Sequence, residues 1–152
     1  MMYFGNALKG LVAAMAIAGP ILTATGVRAD PVTELERLND RFNEAVANHD
    51  PDAVLSLYAD DTIWIEQGKP ASQGLDEPRK LFEFVTANKG EVTHSIDTLF
   101  VSDDGTLAVM IGSVVARMES VGMDATGTYL YVLKPSEDGW EVVTDMWHQH
   151  AE

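Results

Sequence analysis

The chain contains no cysteine. That excludes disulfides, thiolate metal sites, a cysteine nucleophile and a bacterial lipoprotein anchor in one step. Positive charge is scarce as well: 10 Lys and Arg stand against 24 Asp and Glu, a formal charge of −14. So acidic a surface repels nucleic acid and anionic lipid head groups, which argues against a nucleic-acid partner and favours solubility. There is no glycine-rich phosphate loop and no G-x-S-x-G elbow, so nucleotide-binding and serine-hydrolase readings lack support. No residue pattern calls for a cofactor, and none is expected.

The first 29 residues lack something else, any Asp or Glu. They hold Lys9, the apolar stretch "LVAAMAIAG", and the small residues Val27 and Ala29 just before Asp30. This pattern predicts a secretory signal peptide over residues 1–29, cleaved ahead of a domain at 30–152. An uncleaved anchor is the alternative, but Gly19 and Pro20 interrupt a run already short for a membrane span. Cleavage implies an exported protein, periplasmic or extracellular, with no membrane contact afterwards. The mature chain then carries 8 basic and 24 acidic residues, a net of −16. With no disulfide to help, it must hold together by its core, which roughly 120 residues can supply.

What is present reads as helices followed by strands. In "DPVTELERLNDRFNEAVANHD", Leu35, Leu38, Phe42, Ala45 and Val46 recur at helical spacing. Thr33 with Glu36 makes a capping-box pattern, and Asp50-Pro51 ends this helix and starts a second, "PDAVLSLYA". A strand at 62–67, the loop "GKPASQG" and a third helix in "DEPRKLFEFVTANKG" follow, with Gly90 as C-cap. The rest is four strand-like stretches separated by "DDG", "VGM" and "PSEDG". Gly112, within a strand apolar on both faces, marks a bend or bulge. Strands in a row imply antiparallel pairing with the helices packed on one face, an α+β domain.

This order, and the wording of "LNDRFNEAVANHDPDAVLSLYADDTIWIEQG", "GLDEPRKLFEF" and "DGWEVVTDMW", resembles the nuclear transport factor 2-like superfamily, which includes SnoaL-like cyclases and ketosteroid isomerases. The resemblance implies a conical, cystatin-like fold in which a curved antiparallel sheet wraps about three N-terminal helices around a ligand pocket. It also implies a homodimer through the outer face of the sheet. In the isomerases a strand carboxylate moves the proton while a tyrosine and a protonated aspartic acid hold the enolate oxygen, an arrangement that is itself a standard case of carboxyl tuning. By that resemblance Glu66 stands at the base position, Phe42 replaces the first-helix tyrosine, and Thr128 falls at the aspartic acid position. Steroid isomerisation is disfavoured accordingly.

Two readings stand for Glu66. It shares a strand face with Trp64, so in an apolar pocket it would be a desolvated general acid or base. Otherwise it is the first solvated residue before Gln67-Gly68. His148 shares parity with Thr144 and Met146, which the resemblance assigns to the pocket wall, so it is either a relay partner for Glu66 or an exposed tail residue. His148 and His150 form an H-x-H that a metal could use, although no metal site is expected. Tyr58 is a candidate donor on the second helix, or a buried tyrosine with a backbone partner. His94 reads as an interior histidine. Tyr129, Tyr131, Asp145 and Trp147 take the opposite parity, on the outer face that a second subunit would cover. The expected site is thus Glu66, His148 and Tyr58 as catalytic candidates, with Phe42, Trp64, Thr128 and Met146 lining a pocket. Its ligand is a small apolar or partly polar molecule, bound by an exported domain and changed by acid/base chemistry of isomerase, cyclase or dehydratase type; the alternative is a non-catalytic ligand-binding or dimeric assembly module.

Overall fold

A computed structural model describes residues 30–151. The segment read as a leader, 1–29, lies outside the described residues. Helix α1 (Pro31–Ala47) opens on Asp30, whose carboxylate accepts from the Thr33 amide at 3.3 Å. The cap is therefore Asp30 rather than Thr33, and Pro31 takes the first helical position, where its missing N–H costs nothing. The helix buries Leu35, Leu38, Phe42, Ala45 and Val46, the stripe that the spacing predicts. Full burial of a leucine such as Leu35 or Leu38 contributes roughly 2 kcal/mol. A turn through His49, at φ 53, leads to α2 (Pro51–Leu55), capped by Asp50 onto the Ala53 amide at 2.9 Å.

Helix α2 is shorter than the sequence pattern suggests, and Tyr58 already belongs to strand β1 (Tyr58–Glu66). The loop that follows folds back as β2 (Ser72–Gln73) against Ile63 and Trp64. Helix α3 (Asp76–Ala87) buries Pro78, Phe82 and Val85, and ends at Asn88, two residues before Gly90. Then come β3 (Glu91–Val101), β4 (Ala108–Met118), a 3₁₀ turn, β5 (Met123–Ser136) and β6 (Gly139–Gln149).

The strands form one sheet in the order β2-β1-β6-β5-β4-β3. Consecutive strands β3 to β6 pair antiparallel, as hairpin connections require, while β1 joins the far side of β6 in parallel. The sheet is thus mixed where the run of strands suggested antiparallel pairing throughout; β1 escapes that rule because the rest of the sheet separates it from β6 in sequence. The α+β architecture, with a curved open sheet and three helices, is as expected. Helix α1 packs on β3 and reaches β6, so the core lies between the helices and one sheet face.

Two irregularities decide which residues face that core. On β3, Ile96 pairs with Gly112 and Thr98 with Ile111, leaving Asp97 as an extra residue opposite the glycine. On β6, Val142 pairs with Leu133 and Thr144 with Val132, leaving Val143 extra. Trp140 and Val142 point inward before that bulge, Asp145 and Trp147 after it, so inward parity changes from even to odd.

A buried proton chain on a cavity wall

Register lays the inner face of the sheet out in rows. Trp64, Asp145, Tyr131 and Met110 stand side by side across β1, β6, β5 and β4. Glu66, Trp147, Tyr129 and Gly112 form the next row, and Gln149, Gly127, Val114 and His94 the one after. With Phe42 from α1 and Phe82 and Val85 from α3, these rows enclose a cavity of about 200 Å³. Phe84 and Met123 line it and are also exposed, which puts the mouth between α3 and the start of β5.

The walls are mostly apolar, with Glu66, Thr126 and Gln149 among the lining residues, and they carry a chain of hydrogen-bonded polar side chains. Tyr58 donates its hydroxyl to Asp145 Oδ2 at 2.8 Å, the Tyr58 and Tyr131 hydroxyls are 3.1 Å apart, and Tyr131 meets His94 Nδ1 at 3.3 Å. The His94 ring is stacked between Phe42 and Tyr129, with centroids 4.0 and 4.1 Å away. Its backbone is held as well. Asn43 accepts from the His94 amide and donates to its carbonyl, at 2.8 and 2.9 Å, and buried Asn39 adds a donor at 3.3 Å. Tyr129 in turn donates to Asn39 Oδ1. The cluster is therefore placed by α1 and by four strands, β1, β6, β5 and β3.

Burial sets the electrostatics. It pushes the Asp145 carboxyl up to about 7, with the Tyr58 hydrogen bond pulling partly back. It lowers the His94 imidazole to about 3, so that ring stays neutral at any ordinary pH. Burial, reinforced by the nearby Asp145, also raises Tyr58 and Tyr131 well above the usual phenol value. A carboxyl that exchanges its proton near neutrality, on the wall of a cavity, is equipped for general acid or base work.

Several expected site residues stand elsewhere. Glu66 does line the cavity, beside Trp147 and on the Trp64 face, but its carboxylate is 24% exposed and pairs with Lys69 at 2.8 Å across the turn. Met146 and His148 point away from the cavity to the exposed side, because the Val143 bulge reverses the parity that placed them inside. No Glu66–His148 relay forms. Thr128 also lies on the outer face, with its hydroxyl 2.9 Å from His150 Nε2. Conversely Tyr129, Tyr131 and Trp147, expected on the outer face, line the cavity, and Tyr129 and Tyr131 are among the most buried residues. Phe42 and Trp64 are pocket residues as predicted. Tyr58 sits behind the wall with its hydroxyl on Asp145. Among the described residues, no three His, Asp or Glu side chains gather where a metal ion could be held.

Asp145 is the functional candidate that sequence reading left on the wrong face. The signal for it is a carboxylate within "VVTDMW", flanked on both sides by β-branched or apolar residues, and it needs the bulge to be read correctly.

The match to known proteins agrees with this fold. Residues 39–148 match the model of the SnoaL-like domain. No curated protein matches the chain. Among solved structures, an NTF-2 like protein of unknown function from Shewanella oneidensis MR-1 superposes with a TM-score of 0.67 at 20% identity, covering 78% of this chain and 98% of its own. A ketosteroid isomerase-like protein from Erwinia carotovora atroseptica SCRI1043 gives 0.65 at 19%, covering 82% and 100%. A putative dehydratase of the NTF2-like family from Streptomyces avermitilis gives 0.65 at 17%, covering 80% and 96%.

Proposed function

The chain belongs to the SnoaL-like domain family of the nuclear transport factor 2-like superfamily, and on that premise we propose that it is an enzyme that moves a proton on a small, largely apolar molecule through Asp145. One observation carries the reading: a fully buried carboxyl on the cavity wall, held by one tyrosine hydroxyl and poised to titrate near neutrality. The reaction class is the one shared by isomerases, cyclases and dehydratases, removal of a proton from carbon or protonation of a leaving oxygen. The dehydratase name of the Streptomyces relative is in keeping with it. Buried indole N–H groups of Trp64 and Trp147, which have no partner among the described residues, favour a ligand bearing an oxygen acceptor. Glu66, at the margin and tied to Lys69, is the weaker candidate for the proton carrier.

Native mass spectrometry of protein recovered from its own compartment tests this in two ways. A mass beginning at Asp30 would mark a cleaved leader and an exported protein, and a retained small molecule would identify the ligand. On that molecule Asp145→Asn should lower turnover by about a hundred- to ten-thousand-fold, and Glu66→Gln by less than about tenfold. Turnover unchanged in Asp145→Asn would remove the proposal. Binding without any turnover by the parent chain would make this a ligand-holding module.

The outer sheet face supports a homodimer through residues other than Tyr129, Tyr131 and Trp147. Ile111, Leu130, Met146 and Ile65 form one apolar row across four strands, and Val109, Val132, Thr144 and Ile63 a second. The helices lie on the opposite face, and a second copy would present the same strip to this one. Leu130→Glu should therefore shift the sedimenting species from dimer to monomer. A parent chain already monomeric at micromolar concentration would end this part of the reading.

A further inference from the structure

A hydroxyl in a hydrogen-bonded chain donates one proton and accepts another, so a run of hydroxyls between two titratable ends has a direction. Asp145, Tyr58, Tyr131 and His94 form such a run. Both ends line the cavity, while the Tyr58 hydroxyl lies behind its wall. Among the described residues, the single side-chain hydrogen bond of His94 is at Nδ1 and that of Asp145 at Oδ2. Nε2 of the one and Oδ1 of the other are thus the atoms left for a bound molecule. Stacking between Phe42 and Tyr129 holds the imidazole plane, which keeps Nδ1 on Tyr131.

We propose that His94 is a second proton-handling group of this site, and that Asp145, acting through Tyr58 and Tyr131, sets whether His94 Nε2 accepts or donates a proton in the cavity. The inference rests on reading Asp145 as the group that gains and loses the proton. With Asp145 ionised, Tyr58 donates to it and Tyr131 donates to Tyr58. His94 must then donate Nδ1–H to Tyr131, leaving Nε2 bare as an acceptor. With the proton on Asp145 Oδ2, every bond in the run reverses: Asp145 donates to Tyr58, Tyr58 to Tyr131, and Tyr131 to Nδ1. His94 is then the Nε2–H tautomer, a donor into the cavity.

Burial keeps His94 from resting as an imidazolium, so it can take a proton only by passing one on. The relay balances. Nε2 takes a proton from the ligand, Nδ1–H passes to Tyr131, the Tyr131 proton to Tyr58, and the Tyr58 proton to Asp145. One proton enters, each hydroxyl gives one and receives one, and the imidazole is neutral at both ends. Running backwards, the relay returns that proton to a second position of the same molecule. The chemistry it fits is a rearrangement or elimination that loses a C–H proton at one atom and protonates another, with no co-reactant.

The titratable groups around the run are few. Tyr58 and Glu66 face it from β1, Asp97 acts on Tyr129 from β3, and Tyr129 and Tyr131 stand on β5. Helix α1 presents Asn39, Phe42 and Asn43, and α3 presents Phe82, none of which titrates. Asp145 is therefore the group whose proton reverses the run.

Nitrogen-15 NMR of the parent chain labelled at histidine tests this without any substrate. Between about pH 5 and about pH 9, His94 should exchange its Nε2–H form for the Nδ1–H form, with a midpoint near the Asp145 value of about 7 and no imidazolium signal. In Asp145→Asn and in Tyr58→Phe the tautomer should stay fixed across that range. A single tautomer throughout in the parent chain, with the carboxyl still titrating by carbon-13 NMR, would overturn the relay and leave Asp145 as the lone proton carrier. A carboxyl that titrates at the ordinary value would remove both readings.

Discussion

Asp145→Asn is expected to be less stable than the parent chain at about pH 3.5 and more stable at about pH 8.5, so that the two stability profiles cross. Burial keeps the Asp145 carboxyl protonated up to about pH 7 in the folded chain. In the unfolded chain it ionises at the ordinary carboxylate value. The folded-state value is the raised one, so this group's contribution is complete below that ordinary value and is lost as pH rises through the folded one. A displacement of this size corresponds to roughly 4 kcal/mol. Asparagine keeps the shape, can accept from Tyr58 and cannot ionise, but its buried amide introduces unpaired donors at roughly 1–3 kcal/mol. The variant should therefore lose roughly 1–3 kcal/mol at low pH and gain a similar amount at high pH.

His94 works in the other direction. Its folded-state value is depressed to about 3, so its contribution is present above the usual imidazole value and is lost as pH falls below it. Between the ordinary carboxylate and imidazole values the two groups offset each other, and the parent profile gains no slope from the pair. Removing the carboxyl leaves the histidine alone, and stability should then rise with pH by about 1.4 kcal/mol per unit in that window. Urea midpoints measured across the range decide the matter. Parallel profiles for parent and variant would mean that Asp145 is hydrated and ordinary, and the proposed chemistry would go with it.

How much of this was legible in the sequence follows from which patterns are local. Helix α1 was legible because Leu35, Leu38, Phe42, Ala45 and Val46 repeat at its period, and β3 to β6 because turn residues separate β-branched runs. Alternation puts Trp64 and Glu66 on one strand face, and that face lines the cavity. What alternation could not tell was which face of β5 and β6 is inside. On β5 both sets are apolar, Tyr129, Tyr131 and Leu133 against Leu130 and Val132, so polarity does not choose between them. On β6 the even positions Trp140, Val142, Thr144, Met146 and His148 read as one uninterrupted set. The bulge at Val143 divides that set in two, and its extra residue is an ordinary valine with no glycine to announce it. One extra residue moved His148 out of the site and Asp145 into it. The depth of Glu66 was not legible either, since its pairing with Lys69 depends on how the turn folds.

The bulge on β3 was announced, by Gly112, and replacing that glycine should have a large effect on stability. A glycine to alanine change in a strand ordinarily stabilises by roughly 0.5–1 kcal/mol, because it restricts the unfolded chain. Here a Cβ would fall on the Ser95 carbonyl oxygen and within 2.6 Å of Tyr129 Cε1 and 2.8 Å of its Cζ. The Tyr129 ring lies over Gly112 and supports the stack that runs on to His94 and Phe42. Moving it outward would press His94 off Tyr131, and the Ser95 carbonyl, being backbone beside the bulge, has no rotamer to give. Gly112→Ala is therefore expected to lose about 3–5 kcal/mol, with the near-ultraviolet dichroism of the aromatic stack reduced at the same time. Adding Tyr129→Leu would relieve the ring contact and leave the carbonyl contact, so the part not recovered measures what the backbone imposes. If Gly112→Ala stayed within about 0.5 kcal/mol of the parent, β3 and β4 would have to part freely at this point. The histidine stack would then not be seated on β4, and the ring plane that keeps His94 Nδ1 on Tyr131 would need another source.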